Sequence, residues 1–348
     1  MARKPLKLHP VTNDPYNAES PFIALQDEHT PTDLFYVRNH FSVPSINVNQ
    51  FELELNGAIA NPLKLTLDRL RKYPARNLLL VMECAGNGRA SMKPAIKGTP
   101  WSLGAISQAE FSGTSLSNLL AEADLTTNAF EVRFTGADQG KIRSGEIEPY
   151  ARSLPLEVAL HPDTLLVWEM NGKPLDLQHG YPIRLVVPDW YGMAAVKWLQ
   201  EITVLTEPFK GFFQSQEYIY IGEEGIPDNT PVSNMRVRSL ILEPEANTDH
   251  GKDRIQVTGI AWTGEGEVTK VELSFDGGRQ WVDAHINPST SSYGAIRWEF
   301  IWYPDHQGEY TIIARAYDSN DETQPLNSRW NKGGYGNNSS HQVKLSVI

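Results

Sequence analysis

The residue with the most distinctive chemistry is Cys84, the only cysteine among 348 residues. It follows the apolar run LLLVM, and a turn with two glycines at residues 85–88 separates it from Arg89. A lone cysteine is usually a small, buried apolar residue. A guanidinium beside a cysteine at a strand end, however, favours the thiolate over the thiol. The thiolate can act as a nucleophile or as a ligand for a soft metal. The pattern leaves the inert and the reactive interpretation open.

Further candidate site residues, most of them basic, lie in three other segments rich in glycine and aromatic residues. They are Arg38 and His40 in FYVRNHF (35–41), Asp138 after the run EVRF, and His179, Arg184 and Lys197 within residues 168–198. An arginine offers a forked donor, and a histidine can be charged or neutral. Each residue alone is more typical of a turn or a solvated surface. In combination they predict a pocket for an anionic substrate or a phosphorylated cofactor.

The composition excludes several classes of protein. A net charge of −11 is unfavourable for a general nucleic-acid or membrane-surface binder, which needs a basic face. A single cysteine excludes an internal disulfide and a cysteine-cluster zinc site. The sequence has neither a Walker lysine motif nor GxGxxG. No apolar stretch approaches the ~18 residues of a membrane span, and the N-terminus lacks a signal-peptide core, so we expect a cytoplasmic protein unless a leader has been removed.

Three regions differ in their residue patterns along the chain. Residues 1–33 are rich in Pro, Asn, Asp and Thr and predict an extended arm. Residues 34–231 mix short strand-like runs with short helical stretches, which predicts an irregular α+β domain rather than βαβ repeats. Residues 232–348 contain regularly spaced β-branched and aromatic runs, which predict an all-β sandwich of immunoglobulin type.

Local signals predict individual elements within these regions. FELELNG (51–57) and AFEVRFTG (129–136) have strand-like patterns, and residues 115–125 have a helical one. Asn171-Gly172 is a type I′ turn signal that predicts a hairpin between VWEM and KPL. The run Asp276-Gly277-Gly278 predicts a second hairpin in the C-terminal region.

Five ordered segments resemble one known family. They are FYVRNH (35–40), ECAGNGR (83–89), GTPWSLGAIS (98–107), VWEMNGKPLDLQHGYPIRLVVP (167–188) and AAVKW (194–198). Together they resemble the molybdopterin domain of the sulfite oxidase family, and the strands that follow resemble that family's dimerisation domain. The resemblance covers nearly all of residues 20–348, and it implies a member without a haem domain.

The resemblance implies a cofactor, a pyranopterin dithiolene carrying one molybdenum, with Cys84 as the metal ligand from the protein. The implied cofactor contacts are Tyr36, Val37, Arg38, Asn39, His40, Asp138, His179, Arg184, Ala195, Val196 and Lys197. The implied catalytic residues of the oxyanion pocket are Arg38, His40, Arg89, Trp101 and Tyr218. The chain departs from the family in WNKGGYGNN (330–338), where Gly333 replaces an arginine and Lys332 stands beside it. No haem is expected in this chain.

The implied activity is oxidation of sulfite to sulfate by oxygen-atom transfer at a molybdenum–oxo centre. Electrons would pass to a separate acceptor such as a cytochrome c or oxygen, and the chain would form a homodimer. One alternative is a nitrate reductase or another oxyanion oxidoreductase on the same scaffold. A second, from another class, is a thiol hydrolase that pairs Cys84 with His40 or His179. A third is a cofactor-free binding module that uses the sandwich.

Overall fold

The computed structural model describes residues 6–348, so residues 1–5 of the predicted N-terminal arm lie outside the described residues. The strands of the first part are β1 (His9–Asn13), β2 (Tyr16–Glu19), β3 (Leu53–Gly57), β4 (Leu63–Leu65), β5 (Ala75–Glu83), β6 (Ile106–Ser115), β7 (Glu131–Lys141), β8 (Ile147–Pro155), β9 (Leu165–Met170), β10 (Lys173–Pro174), β11 (Arg184–Val186), β12 (Leu199–Leu205), β13 (Ile219–Tyr220) and β14 (Thr230–Pro231). Its α-helices are α1 (Leu67–Leu70), α2 (Leu116–Ala123) and α3 (Leu156–Ala159). Single turns of 3-10 helix lie at Phe22–Leu25, Thr32–Leu34, Val48–Gln50, Arg89–Ser91 and Gly192–Ala194, with a π-helical turn at Phe213–Glu217.

Two five-stranded sheets dominate this first part. One has the order β10-β9-β6-β5 with β11 beside β9, and the other has the order β4-β3-β12-β7-β8. Strand β12 pairs in parallel with β3 and antiparallel with β7. The predicted mixed domain is therefore mostly sheet with few, short helices. In α2, Leu116, Leu119, Leu120 and Ala123 are buried, and this helical spacing turns one face toward the core.

The second part of the chain is all-β. Its strands are β15 (Arg238–Glu243), β16 (Asp249–His250), β17 (Ile255–Trp262), β18 (Val268–Ser274), β19 (Val282–Asp283), β20 (His285–Asn287), β21 (Ile296–Trp302), β22 (Gly308–Asp318) and β23 (His341–Val347). They form one sheet in the order β15-β17-β21-β20 and another in the order β16-β23-β22-β18-β19. Apolar side chains from both sheets, including Val257, Leu273, Trp298 and Ile312, form one core cluster.

Strand β5 carries the chain to the cysteine through the interior of the first part. Leu80, Met82 and Cys84 belong to one apolar cluster, whereas Val81 and Ala85 belong to another. Because successive side chains of a strand point to opposite faces, a strand between two cores is apolar on both faces. The run LLLVM thus fixes the position of the sulfur through packing on both sides.

The predicted hairpins are confirmed by the pairing of their strands. Strand β10 pairs with β9 in antiparallel register, and Asn171 and Gly172 between them have φ values of 51° and 71°, as a type I′ turn requires. The strands on either side of residues 276–278, β18 and β19, are also antiparallel partners. Across residues 6–348, no helix combines the length and the apolar character needed to cross a bilayer.

Candidate functional site

Cys84 lies at the junction of two adjoining cavities. The inner cavity has a volume of about 590 Å³ including space open to solvent, and its lining includes Tyr36, Arg38, His40, Asp138, His179, Arg184, Ala195 and Lys197. The outer cavity, about 1500 Å³ including its open mouth, has a lining that includes Arg89, Trp101, Lys332, Gly333 and Tyr335. Three residues border both cavities: Arg38, Cys84 and Tyr218. The thiol thus lies between the two cavities, while the residue as a whole is buried.

Burial controls the protonation of the thiol. The backbone N–H of Cys84 donates to the carbonyl of Ala105 (2.9 Å), which extends the β5–β6 pairing by one residue. Burial raises the pKa of Cys84, although Arg38, the backbone N–H of Gly86 and Arg89 act in the opposite direction. Arg89 thus favours the thiolate, as its place in the sequence predicts, but burial outweighs it and the pKa of the thiol is raised overall. A metal ion that binds this sulfur must displace its proton.

The N-terminal hairpin positions the segment that contains Arg38. Val37 exchanges two backbone hydrogen bonds with Ala18 (2.9 and 3.0 Å), which holds the segment extended beside β2. Arg38 and His40 consequently lie on one face and line the inner cavity, as their alternation predicts. Val37 and Asn39, on the opposite face of the segment, are buried. Neither of these two lines the cavity.

Tyr218 and His40 form a hydrogen-bonded pair beside Cys84. Tyr218 follows the π-helical turn, and its hydroxyl lies 2.6 Å from His40 Nε2. The His40 ring also stacks on Tyr150, with 4.3 Å between ring centroids. Burial, followed by Arg38 and other nearby cations, lowers the pKa of His40 well below 6.5, so the imidazole is neutral. Burial raises the pKa of Tyr218 to about 12, so the phenol keeps its proton.

Two cationic side chains surround the far end of the inner cavity, with Arg184 buried and Lys197 half-buried. Arg184, on β11, donates to the carbonyls of His179 and Ala195, both at 3.1 Å. Lys197 donates to the carbonyl of Gln178 (2.7 Å) and to the side-chain oxygen of Asn39. Burial lowers the pKa values of Arg184 and Lys197, because a charge without a counter-ion is costly in the interior. Asn39 therefore acts by holding Lys197 rather than by facing the cavity.

Asp138 is the acidic residue of the inner cavity. The β7–β8 register shifts between Thr135 and Gln139, and this irregularity turns the carboxylate inward. Burial raises the pKa of Asp138 to about 6, while Lys197 opposes the shift. Its Oδ1 atom is buried without a hydrogen-bond partner in the described chain. An unsatisfied acceptor of this kind is expected to bind a ligand N–H or O–H.

His179 closes the same end of the cavity as a neutral side chain. Its Nε2 lies 3.2 Å from the carbonyl of Thr32, which requires that nitrogen to be the donor. Burial lowers its pKa to about 4, while Asp176 opposes the shift. Ala195 lines the cavity next to it, whereas Val196 packs into the core of the first part.

The residues around Arg89 shape the outer cavity. Arg89 Nε donates to the carbonyl of Gly333 and Nη1 to the carbonyl of Thr99, both at 3.0 Å. Its guanidinium carbon lies 5.2 Å from the centre of the Tyr335 ring. Trp101 is fully buried, and within residues 6–348 its Nε1–H has no partner. The floor of the outer cavity therefore holds an arginine in one orientation beside an unused N–H donor.

Position 333 is the place where the chain departs from the family pattern. A Cβ atom on Gly333 would overlap the ring of Tyr335, so the side-chain space there is already filled. Lys332 lies at the rim of the outer cavity with an exposed side chain. Tyr335 is a further residue of the outer cavity that the sequence motifs do not single out, because an aromatic residue two positions after Gly333 is its one sequence signal.

The donor set fits a phosphorylated pterin carrying a soft metal. Arg38, Arg184 and Lys197 place three cations around a cavity with one carboxylate, which favours a polyanion. Two buried polar atoms of this cavity, Asp138 Oδ1 and Arg184 Nε, lack partners within the described residues. A heterocycle with N–H donors and a phosphate would satisfy both kinds of group. The sulfur of Cys84 is a suitable ligand for the metal.

Two family models match the chain. Residues 40–213 match the oxidoreductase molybdopterin binding domain, and residues 229–348 match the Mo-co oxidoreductase dimerisation domain. The sulfite oxidase of Arabidopsis thaliana is 34% identical over 96% of this chain and 92% of that protein. The sulfane dehydrogenase SoxCD of Paracoccus pantotrophus superposes with a TM-score of 0.85 at 27% identity, over 99% of this chain and 90% of that chain. The chain belongs to the sulfite oxidase family of molybdopterin oxidoreductases.

Other relatives are longer than this chain. The mitochondrial sulfite oxidase of Drosophila melanogaster is 34% identical over 98% of this chain, which spans 63% of that protein. A nitrate reductase [NADH] of Phaseolus vulgaris is 30% identical over 96% of this chain, which spans 41% of that protein. Both activities expected at first therefore occur among proteins similar to this one, and sulfite oxidases have the higher identity.

Proposed function

We propose that this oxidoreductase converts sulfite to sulfate with a molybdenum cofactor bound at Cys84. The observation that carries the proposal is the position of the thiol between two cavities of different character. The inner cavity offers cations and unpartnered polar atoms to a phosphorylated cofactor. The outer cavity offers Arg38 and Arg89 to a small oxyanion. Similarity to sulfite oxidases supports this choice of substrate.

The residues of the inner cavity would hold the cofactor. Arg184 and Lys197 suit a phosphate, and Asp138 suits an N–H of the pterin, because its free oxygen can only accept while it is ionised. Cys84 would supply the sulfur ligand from the protein. When bound, the molybdenum centre supplies oxygen-atom transfer and accepts two electrons.

The residues of the outer cavity would bind and orient the substrate. Sulfite and water give sulfate, two protons and two electrons, and the new oxygen bonds to sulfur, so the sulfur of the anion would face the metal held at Cys84. Arg38 and Arg89 supply the charge that attracts it, and Trp101 supplies an N–H donor. When the neutral His40 imidazole carries its proton on Nε2, it donates to the Tyr218 hydroxyl, whose own proton is then free for a substrate oxygen. The pKa of about 12 means that Tyr218 orients the anion rather than acting as a base.

A steady-state comparison of two substrates tests the proposal. Purified, cofactor-loaded enzyme should reduce ferricyanide in the presence of sulfite and should show far slower nitrate-dependent oxidation of a reduced viologen. Arg89→Gln, which keeps hydrogen-bond donors but removes the charge, should raise KM for sulfite by about tenfold or more. Efficient nitrate turnover with no sulfite-dependent reduction would replace the proposal with the nitrate reductase alternative.

The geometry does not favour a thiol hydrolase. His40 Nε2 is paired with Tyr218, and His179 Nε2 is paired with the carbonyl of Thr32. In the part of the chain that the structure describes, Cys84 forms no side-chain hydrogen bond with either imidazole. A nucleophilic thiol needs a base within hydrogen-bond reach and a lowered pKa, whereas burial raises the pKa of this one.

The assembly and the electron acceptor complete the proposal. Residues 229–348 match a dimerisation domain, and we infer a homodimer formed through this region, with the two sheets arranged as an immunoglobulin-like sandwich. Electrons would leave to a separate acceptor such as a cytochrome c or oxygen. We place the enzyme in the cytoplasm, or in the periplasm if a leader is removed.

A further inference from the structure

The second part of the chain contacts the turn that contains the cysteine. We call residues 84–89 the cysteine loop and residues 330–338 the C-terminal loop. Three hydrogen bonds join these two loops: Gly336 N to Ala85 O (2.8 Å), Asn337 Nδ2 to Gly88 O (2.8 Å), and Arg89 Nε to Gly333 O (3.0 Å). The cysteine loop is therefore fixed by a segment almost 250 residues away in the sequence.

Asn337 is the side chain through which the C-terminal loop donates to the cysteine loop. Its amide nitrogen also donates to Ser91 Oγ (3.1 Å), and its oxygen accepts from the backbone N–H of Ser339 (3.1 Å). The side chain is therefore bonded on both ends, and its residue is 2% exposed. Gly88 has φ of +85°, and a Cβ there would lie 2.9 Å from Asn337 Nδ2. This close approach explains the glycine at position 88 better than contact with a cofactor does.

A buried ion pair supports the same loop from below. Glu83, immediately before Cys84, pairs with Arg238 of β15 and accepts from Trp262 Nε1 (3.0 Å) of β17. Asn87 Nδ2 donates to the same carboxylate (3.0 Å). Separating a buried ion pair has a high free-energy cost, because it leaves an uncompensated charge in the interior. This contact therefore anchors the loop independently of Asn337.

We propose that Asn337 is a positioning residue that holds Cys84 and Arg89 in the orientation the metal and the oxyanion require. The proposal rests on the proposed function, since it assigns Cys84 to the metal and Arg89 to the anion. Asn337 lines neither cavity, so it acts only through the cysteine loop. Without its donor, Gly88 O loses a buried hydrogen bond and the loop has one fewer restraint.

A thiol-labelling experiment on the full-length chain, made in a host that cannot synthesise the cofactor, tests the restraint. Cys84 is the single cysteine, so maleimide incorporation reports on this loop alone. Asn337→Ala should label at least about fivefold faster than the wild type, because local opening exposes the thiol. Asn338→Ala is the matched control: Asn338 is also buried, at 4% exposed, but donates to Val237 O (3.1 Å) in the second part. It should label within about twofold of the wild type.

Equal labelling of the two variants would overturn the proposal. If Asn337→Ala does not yield folded protein, Asn337→Ser replaces it and should again label faster than Asn338→Ala.

In the loaded enzyme, Asn337→Ala should raise KM for sulfite by about fivefold with kcat changed less, since Arg89 loses its alignment. If Asn337→Ala destabilises the protein but does not change KM for sulfite more than kcat, Asn337 has a structural role only. Absence of molybdenum from the wild type would contradict the proposed function and leave the labelling comparison valid.

Discussion

At the scale of single residues, the site depends on where charge is buried. Arg184 is buried, and Arg38 and Lys197 are half-buried, around one carboxylate, Asp138. An interior with this excess of positive charge is unfavourable in the empty protein and becomes favourable when an anionic ligand binds. The net charge of −11 gives no sign of this local excess, although the segments that contain these residues predict a pocket for an anion.

Lys332 provides the first prediction. Its exposed ammonium stands at the rim of the outer cavity beside Gly333. Lys332→Ala should raise KM for sulfite by about two- to threefold, and the effect should shrink at high salt, because an exposed charge is screened. Lys344→Ala, an exposed lysine of β23, is the control and should leave KM unchanged. An unaltered KM in Lys332→Ala would show that the lysine does not assist anion binding.

At the scale of elements, the site residues lie at the ends of strands or at irregularities within them. The apolar run LLLVM predicts a buried strand that delivers Cys84, and β5 ends at Glu83 as expected. The Asn171-Gly172 turn is equally readable from sequence, since its type needs positive φ at two positions. The β7–β8 irregularity that turns Asp138 inward gives no comparable local signal, because it depends on pairing between strands.

Gly136 in β7 provides the second prediction. A Cβ at this position would lie 2.6 Å from Asp138 Oδ1 and 2.8 Å from the carbonyl of Lys197. Gly136→Ala should therefore displace the carboxylate and reduce pterin and molybdenum content by about half or more. Gly251→Ala, which places a methyl group in open space, should load normally. Full cofactor content in Gly136→Ala would show that Asp138 is not needed for cofactor retention.

At the scale of the whole molecule, the two parts of the chain build the site jointly. The Glu83–Arg238 pair and the Arg89–Gly333 contact join residues 155 and 244 positions apart. No local sequence pattern predicts such long-range contacts. The order of segments 35–40, 83–89 and 194–198, in contrast, predicts which residues form the site together. The resemblance to a family therefore predicts the site residues, and the structure shows which contacts hold them in place.

His341 provides the third prediction, for stability against pH. Its Nδ1 accepts the backbone N–H of Ile241 (2.9 Å), which joins β23 to β15. Burial, with a smaller effect of Arg238, lowers its pKa to about 4 from an ordinary value of 6.5. The unfolded chain then binds the extra proton, so this residue costs stability progressively as pH falls from about 6.5 to 4, by about 3 kcal/mol at the lower end.

Chemical denaturation at pH 7 and pH 4 checks this prediction. His341→Asn keeps an acceptor near the Nδ1 position but does not titrate. The free energy of unfolding should fall less between the two pH values in the variant than in the wild type. Equal losses in both proteins would show that His341 does not contribute to acid sensitivity.

The dimerisation region provides the fourth prediction. Residues 229–348 match a dimerisation domain, so light scattering should give twice the chain mass of 39.0 kDa. The result should persist on dilution to low micromolar concentration, as expected of a large interface. A single species at the monomer mass would contradict the inferred homodimer.

The most direct test of the account is the metal and pterin content of the wild type and of Cys84→Ser, both made in a host that synthesises the cofactor. The account predicts about one molybdenum and one pterin per wild-type chain, because the inner cavity binds the cofactor and the thiolate binds the metal. Cys84→Ser should keep pterin, held by the cations of the inner cavity, but should lose sulfite-dependent ferricyanide reduction. Wild-type protein without molybdenum or pterin would contradict the central claim.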